Sequence, residues 1–134
     1  MKKLLISVLL FVISFSSYSQ EFIDDSNFEE KINQRHEFGD DEFNIVVVEF
    51  WVKFNSQNAF TDWDKVKGVK YFRVDISNSP SAKKKFRIRM APTLSIFNQG
   101  IKEEVFKAGL DLLVPVTLEE LIASIEELKT ANKF

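Results

Sequence analysis

The run NIVVVEFW, residues 44 to 51, restricts the fold more than any other part of this chain. It is dense in β-branched and aromatic residues and apolar almost throughout, the pattern of a central strand covered on both faces. Its one charge, Glu49, needs a partner once buried. VKYFRVDIS, residues 69 to 77, reads as a second central strand. Between them NSQNAFTDWDKVKG predicts a helix of about 10 residues that stops at Gly68. Phe60 and Trp63 share a face of that helix, with Asp64 at its edge.

The flanking segments complete an alternating order. EFIDD (21 to 25) predicts a short first strand, and Ser26 with Glu29 forms a capping box that starts a helix near Asn27. Phe28 and Ile32 lie on its inner face, and Asp40-Asp41-Glu42 fall in a solvated loop beyond Gly39. Ser79-Pro80 marks a short helix, with Ser79 as N-cap and Pro80 at the first helical position. APTLSIF (91 to 97) and IKEEVFKAG (101 to 109) flank Asn98-Gln99-Gly100 as a β-hairpin. LDLLVPV is a connector. Thr117 with Glu120 is a second capping box, and Leu118, Leu121, Ile122, Ile125 and Leu128 mark the buried stripe of a C-terminal helix. The predicted order is β-α-β-α-β-α-β-β-α: an α/β fold with a central mixed sheet of about five strands flanked by helices.

Residues 1 to 19 read as a signal peptide. Lys2-Lys3 precede the apolar run LLISVLLFVISF, too short to span a bilayer comfortably, and Ser17 and Ser19 supply small residues before a cleavage at Gln20. Cleavage of 19 from 134 residues leaves one domain of 115, residues 20 to 134, and the two lost lysines take the formal charge from −2 to −4. The expected location is periplasmic or secreted, with no stable membrane insertion after cleavage. The chain has no cysteine, so its stability rests on an apolar core fed by 14 phenylalanines. Mild acidity argues against nucleic-acid binding. His36 is the one histidine, Asp40-Asp41-Glu42 lack calcium-loop spacing, and no metal set or cofactor is indicated. Lys83-Lys84-Lys85-Arg87-Arg89 reads as a solvated helix face, with a docking patch for an acidic partner as the weaker alternative.

Two motifs carry a resemblance. VVVEFWVKFNSQN resembles the strand and active-site turn of the thioredoxin family, and RIRMAPTLSIFNQG resembles its later segment built around a cis-proline. The element order is similar to the thioredoxin fold from about residue 21 to 130, with the helix after Asn58 shorter than usual. By that resemblance Trp51, Asn55, Ser56, Gln57 and Asn58 occupy the former active-site positions, with Asn55 and Asn58 in place of both cysteines. Glu49 stands where the family has a buried acid, Arg73 where it has a basic residue near that acid, and Pro92 where it has the cis-proline.

Thiol–disulfide exchange needs a thiolate, and this chain has none to offer. Asn55 reads as a helix N-cap instead of a catalytic group. Glu49 and Arg73 read as a buried ion pair that fixes strand register. The resemblance implies that the groove survives without sulfur. Phe54, Asn55, Met90, Ala91, Pro92, Ala108 and Gly109 would line it, and an extended peptide or protein partner would pair with the backbone of Ala91. The leading expectation is a non-catalytic peptide-binding or chaperone-like module. Two others stay open: a structural subunit of an envelope assembly, with Phe60, Trp63 or the face left by the short helix as interface, and glutathione binding of the transferase kind at Ser56.

Overall fold

A computed structural model describes residues 21–33, 45–66 and 68–132. The proposed signal peptide, His36 and Asp40-Asp41-Glu42 lie outside the described residues. Five strands, β1 (Glu21–Ile23), β2 (Ile45–Trp51), β3 (Lys70–Asp75), β4 (Thr93–Asn98) and β5 (Ile101–Lys107), form one sheet in the order β1-β3-β2-β4-β5. β3 runs parallel to both β1 and β2, while β4 is antiparallel to β2 and to β5. The α-helices are α1 (Phe28–Asn33), α2 (Pro80–Lys85) and α3 (Leu118–Asn132). This is the mixed, helix-flanked sheet that the alternation of elements predicts.

β2 lies at the centre because both of its faces are buried. Val46, Val48 and Phe50 point to one face and pack with Ile23, Phe28, Ile32, Phe72, Val74 and Phe97 beneath α1 and α2. Four rings, Phe28, Phe50, Phe86 and Phe97, meet there with centroids 5.3–6.3 Å apart. Each fully buried ring contributes about 1.5–3 kcal/mol over leaving it in water. Ile45 and Val47 point to the other face, with Phe60, Leu94, Ile96, Leu121 and Ile125. Ile122 is 36% exposed and stands outside the stripe that α3 buries.

The middle α-helix does not form. Residues 53–66 make two short 3-10 pieces, Lys53–Asn58 and Trp63–Lys65, with Ala59 extended between them (φ −66°, ψ 156°). The local sequence is poor in helix formers (Asn55, Ser56, Asn58, Thr61, Asp62), and the backbone of Phe60 is claimed by buried charge. Its N–H donates to Glu49 Oε2 at 3.1 Å and its carbonyl accepts from Arg73 Nη2 at 3.3 Å. An uninterrupted α-helix would have spent both groups internally.

Two predicted caps are also reassigned. Ser26 does not reach forward to the first turn of α1; its hydroxyl donates back to Asp24 Oδ1 at 2.5 Å. Ser79 makes no side-chain cap bond, and Asp25 caps α2 from the far side of the sequence, accepting from Ser81 N and Ala82 N at 2.8 Å each. The Thr117–Glu120 capping box forms, with Glu120 N donating to Thr117 Oγ1 at 3.1 Å. In the β4–β5 turn Gln99 and Gly100 both have positive φ, which favours glycine at 100, and a Cβ there would also push the Asn33 amide aside, 2.1 Å from its Oδ1.

Candidate functional site

The end of β2 delivers the chain to the site. Trp51 is half-buried, with Phe22 edge-on to it at 5.3 Å and the Arg73 guanidinium 5.8 Å from its ring. Phe54 is 81% exposed, Ser56 and Gln57 are exposed, and Asn55 is buried at 7%. Asn55 has φ −115° and ψ 23° inside the first 3-10 piece. It does not cap an α-helix, because none starts there. Its amide Nδ2 donates to Ala91 O at 2.8 Å and to Leu112 O at 2.9 Å, while its Oδ1 accepts from Asn58 Nδ2 at 2.7 Å. One neutral side chain thus joins the β2 exit, the segment before β4 and the connector after β5.

The Ala91–Pro92 peptide bond is cis, and both residues are buried. Met90 beside them is half-buried, and its carbonyl accepts from Thr93 Oγ1 at 2.7 Å. Ala108 is buried and Gly109 exposed where β5 gives way to the connector. The structure therefore brings Phe54, Asn55, Met90, Ala91 and Pro92 together, with Leu112 closing on them. The Ala91 carbonyl is already engaged by Asn55, so a docked strand would meet a partly occupied backbone. Leu112 itself has φ 57°, and its N–H donates to Gly109 O at 3.0 Å, a tight turn that brings its carbonyl to Asn55. That turn holds Leu110 in solvent at 92% exposure and Leu113 at 52%.

Behind the site lies an ionic node. Glu49 is fully buried and accepts four hydrogen bonds: from Phe60 N, from Tyr71 Oη at 2.6 Å, and from Arg73 Nε and Nη2 at 3.3 and 3.0 Å. Glu49 and Arg73 are register partners across β2 and β3, which puts both on the same face. The Tyr71 hydroxyl is held protonated well above its ordinary range, first by burial and then by the Glu49 carboxylate it donates to, with Arg73 opposing. Both carboxylate oxygens are engaged, Oε1 by Tyr71 and Arg73 and Oε2 by the Phe60 N–H, which makes Glu49 a structural acceptor.

Ser56 lies in a 3-10 piece and not at an α-helix N-terminus, so the α-helix dipole expected to favour an anion at its hydroxyl is not there. Phe60 is 4% exposed and stacks on Tyr71 at 6.0 Å, so it is core and not interface. Among the described residues no three or more His, Cys, Asp or Glu side chains cluster in a way that could hold a metal ion.

Tyr71 and Leu112 were absent from the residues singled out by sequence. Tyr71 was findable: it sits two residues before Arg73 on one strand and so shares its face. Leu112 had one signal, the density of leucine and valine in a connector.

No protein-family model matches this sequence, and no curated protein does. Solved structures do match. Thioredoxin f2 of Chlamydomonas reinhardtii superposes with a TM-score of 0.60 at 15% identity, covering 82% of this chain and 96% of its own. A thioredoxin of Plasmodium falciparum gives 0.54 at 14%, covering 81% and 94%. Human ERp44 gives 0.60 at 18%, covering 87% of this chain and 31% of its own. The architecture is thus the thioredoxin-like fold, built here by a chain that contains no cysteine and cannot run thiol–disulfide exchange.

Proposed function

We propose that this chain is an exported, non-catalytic protein-binding module that takes an extended segment of a partner across the former active-site face. The observation that carries the reading is the pair Phe54 and Leu110, 81% and 92% exposed, on the two backbone segments that Asn55 ties together. Large apolar side chains cost free energy in water, and a short stapled backbone holds these two in place. A binding face that is ordered before its ligand arrives loses less entropy on association. Met90 adds an adaptable contact beside them. Because the Ala91 carbonyl already accepts from Asn55, affinity comes chiefly from apolar side chains and only secondarily from strand pairing.

A displayed library of random dodecapeptides, panned against the purified protein, tests this. Enriched peptides should share apolar residues at alternate positions, and the double variant Phe54→Ser, Leu110→Ser should lose them while its far-UV spectrum stays that of the parent. Equal retention of the same peptides by parent and variant would remove this face from consideration.

A further inference from the structure

Beside Met90 the surface changes character. Arg87, Ile88 and Arg89 line two clefts at once. One, about 390 Å3, is completed by Met90, Thr93, Lys107 and Ala108. The other, about 480 Å3, is completed by Pro80, Lys83 and Lys84. The two linings together hold five cations and no carboxylate. None of the five forms an ion pair among the described residues, whereas the neighbouring Lys85 pairs with Glu29. The chain as a whole is acidic, with a formal charge of −2, so this concentration of one sign is local.

The backbone adds a second observation. α2 ends with Arg87 N donating to Lys84 O at 3.2 Å and Ile88 N to Lys83 O at 2.9 Å. Arg87 carries the left-handed conformation of that helix stop, φ 54°. Glycine is the usual occupant of such a position, because a side chain there crowds the backbone. Here the fold carries a long cation at a place where its own stability favours none, and that cation borders both clefts.

We propose that the two clefts form one basic trough that receives the acidic part of an extended protein segment whose apolar part rests on Phe54, Met90 and Leu110. This rests on the function proposed above and names the chemistry of its partner. Met90 and Ala108 lie in the same cleft as Arg87, Arg89 and Lys107, so an occupant meets apolar and cationic surface within a few residues. A polyanion such as nucleic acid or polyphosphate satisfies only the second, and the chain as a whole carries a net negative charge of −2. A peptide with a few carboxylates next to apolar residues satisfies both.

The test uses fluorescein-labelled dodecapeptides and fluorescence anisotropy. One probe has four glutamates followed by leucine, valine and phenylalanine; a second replaces the glutamates by lysines; a third is mostly glutamate. The mixed probe should bind best and weaken as salt rises from about 50 to about 500 mM. Arg87→Glu with Arg89→Glu should lower its affinity about tenfold or more, and Lys70→Glu, a control outside both clefts, should leave it unchanged. Phe54→Ser should weaken the mixed probe and spare the mostly-glutamate one. Loss on charge reversal with no effect of Phe54→Ser keeps the trough and overturns the apolar face; the opposite result overturns the trough. Tighter binding of polyphosphate or heparin than of the mixed probe overturns a protein segment as the occupant. Arg87→Gly separates binding from folding: it should raise Tm by about 3 °C and weaken the mixed probe at least threefold. A raised Tm with unchanged affinity would show that Arg87 does not meet the ligand.

Discussion

Polar side chains hold the irregular segment between β2 and β3 at two points, with opposite chemistry. Midway along it Glu49, charged and fully buried, accepts from the Phe60 N–H, while Arg73 donates to the Phe60 carbonyl. At its near end Asn55, neutral and buried at 7%, donates to two carbonyls of other segments. A backbone that is not helical leaves N–H and C=O groups to be satisfied by something else, and here side chains do it. The difference is one of charge. A buried charge is stable only while its partners remain, whereas a neutral amide can be lost with local damage. Glu49 should therefore behave as a determinant of the whole fold, and Asn55 as a determinant of the site alone.

Removing Glu49 should produce the largest effect. Glu49→Ala takes the carboxylate away from the buried Arg73 guanidinium and removes the acceptor of the Tyr71 hydroxyl and the Phe60 N–H. The expected cost is about 3–5 kcal/mol by urea unfolding, a large part of the stability of a domain this size. The double variant Glu49→Leu, Arg73→Met should cost less than the single one, because the buried cation is removed along with its carboxylate. A double variant as unstable as Glu49→Ala would mean that the pair matters for its shape and not for its charge.

Asn55→Ala should cost less, about 1–3 kcal/mol, since it leaves two carbonyls and the Asn58 amide without their partner. Its signature is spatial. Amide exchange should accelerate at residues 109–113, where the Leu112 turn loses its anchor, while the β2–β3 amides keep their protection. Equal loss of protection in both places would erase the distinction between a global node and a local one.

The same contrast explains what the sequence could convey. The strands of the central sheet were legible because their apolar and β-branched runs report burial directly, and Glu49 announced its need for a partner by being the one charge in such a run. The α3 cap was legible because Thr117 and Glu120 satisfy each other within one turn. What failed depended on contacts across the fold. Asp25 takes over the cap expected of Ser79 from 56 residues away, and nothing near Ser79 signals it. The missing middle helix has the same origin: the 14-residue stretch predicts a helix locally, while the competitors for its backbone sit on β2 and β3. Asn55 is a good N-cap in any local reading, yet its hydrogen bonds lead to residues 36 and 57 positions further on. Local propensity is readable, and long-range capture of a polar group is not.

The smallest predicted change tests the ionic node from its edge. Tyr71→Phe removes one of the four donors to Glu49 and leaves the charge pair in place. At neutral pH the cost should be about 0.5–1.5 kcal/mol. The pH dependence is more telling. In the folded protein the Tyr71 proton is held above its ordinary pKa of 10.0, so below that pH both folded and unfolded chains keep it and the stabilisation is complete. Above it the unfolded chain releases the proton while the folded one retains it, so stability must fall as pH rises. Between pH 10 and 11 the parent should lose about 1 kcal/mol more than Tyr71→Phe, measured as the difference in urea unfolding free energy. The absence of cysteine keeps thiolate chemistry out of the alkaline measurement. Parallel losses in the two proteins would mean that Tyr71 ionises in the folded state as freely as in water, and that Glu49 is screened from it.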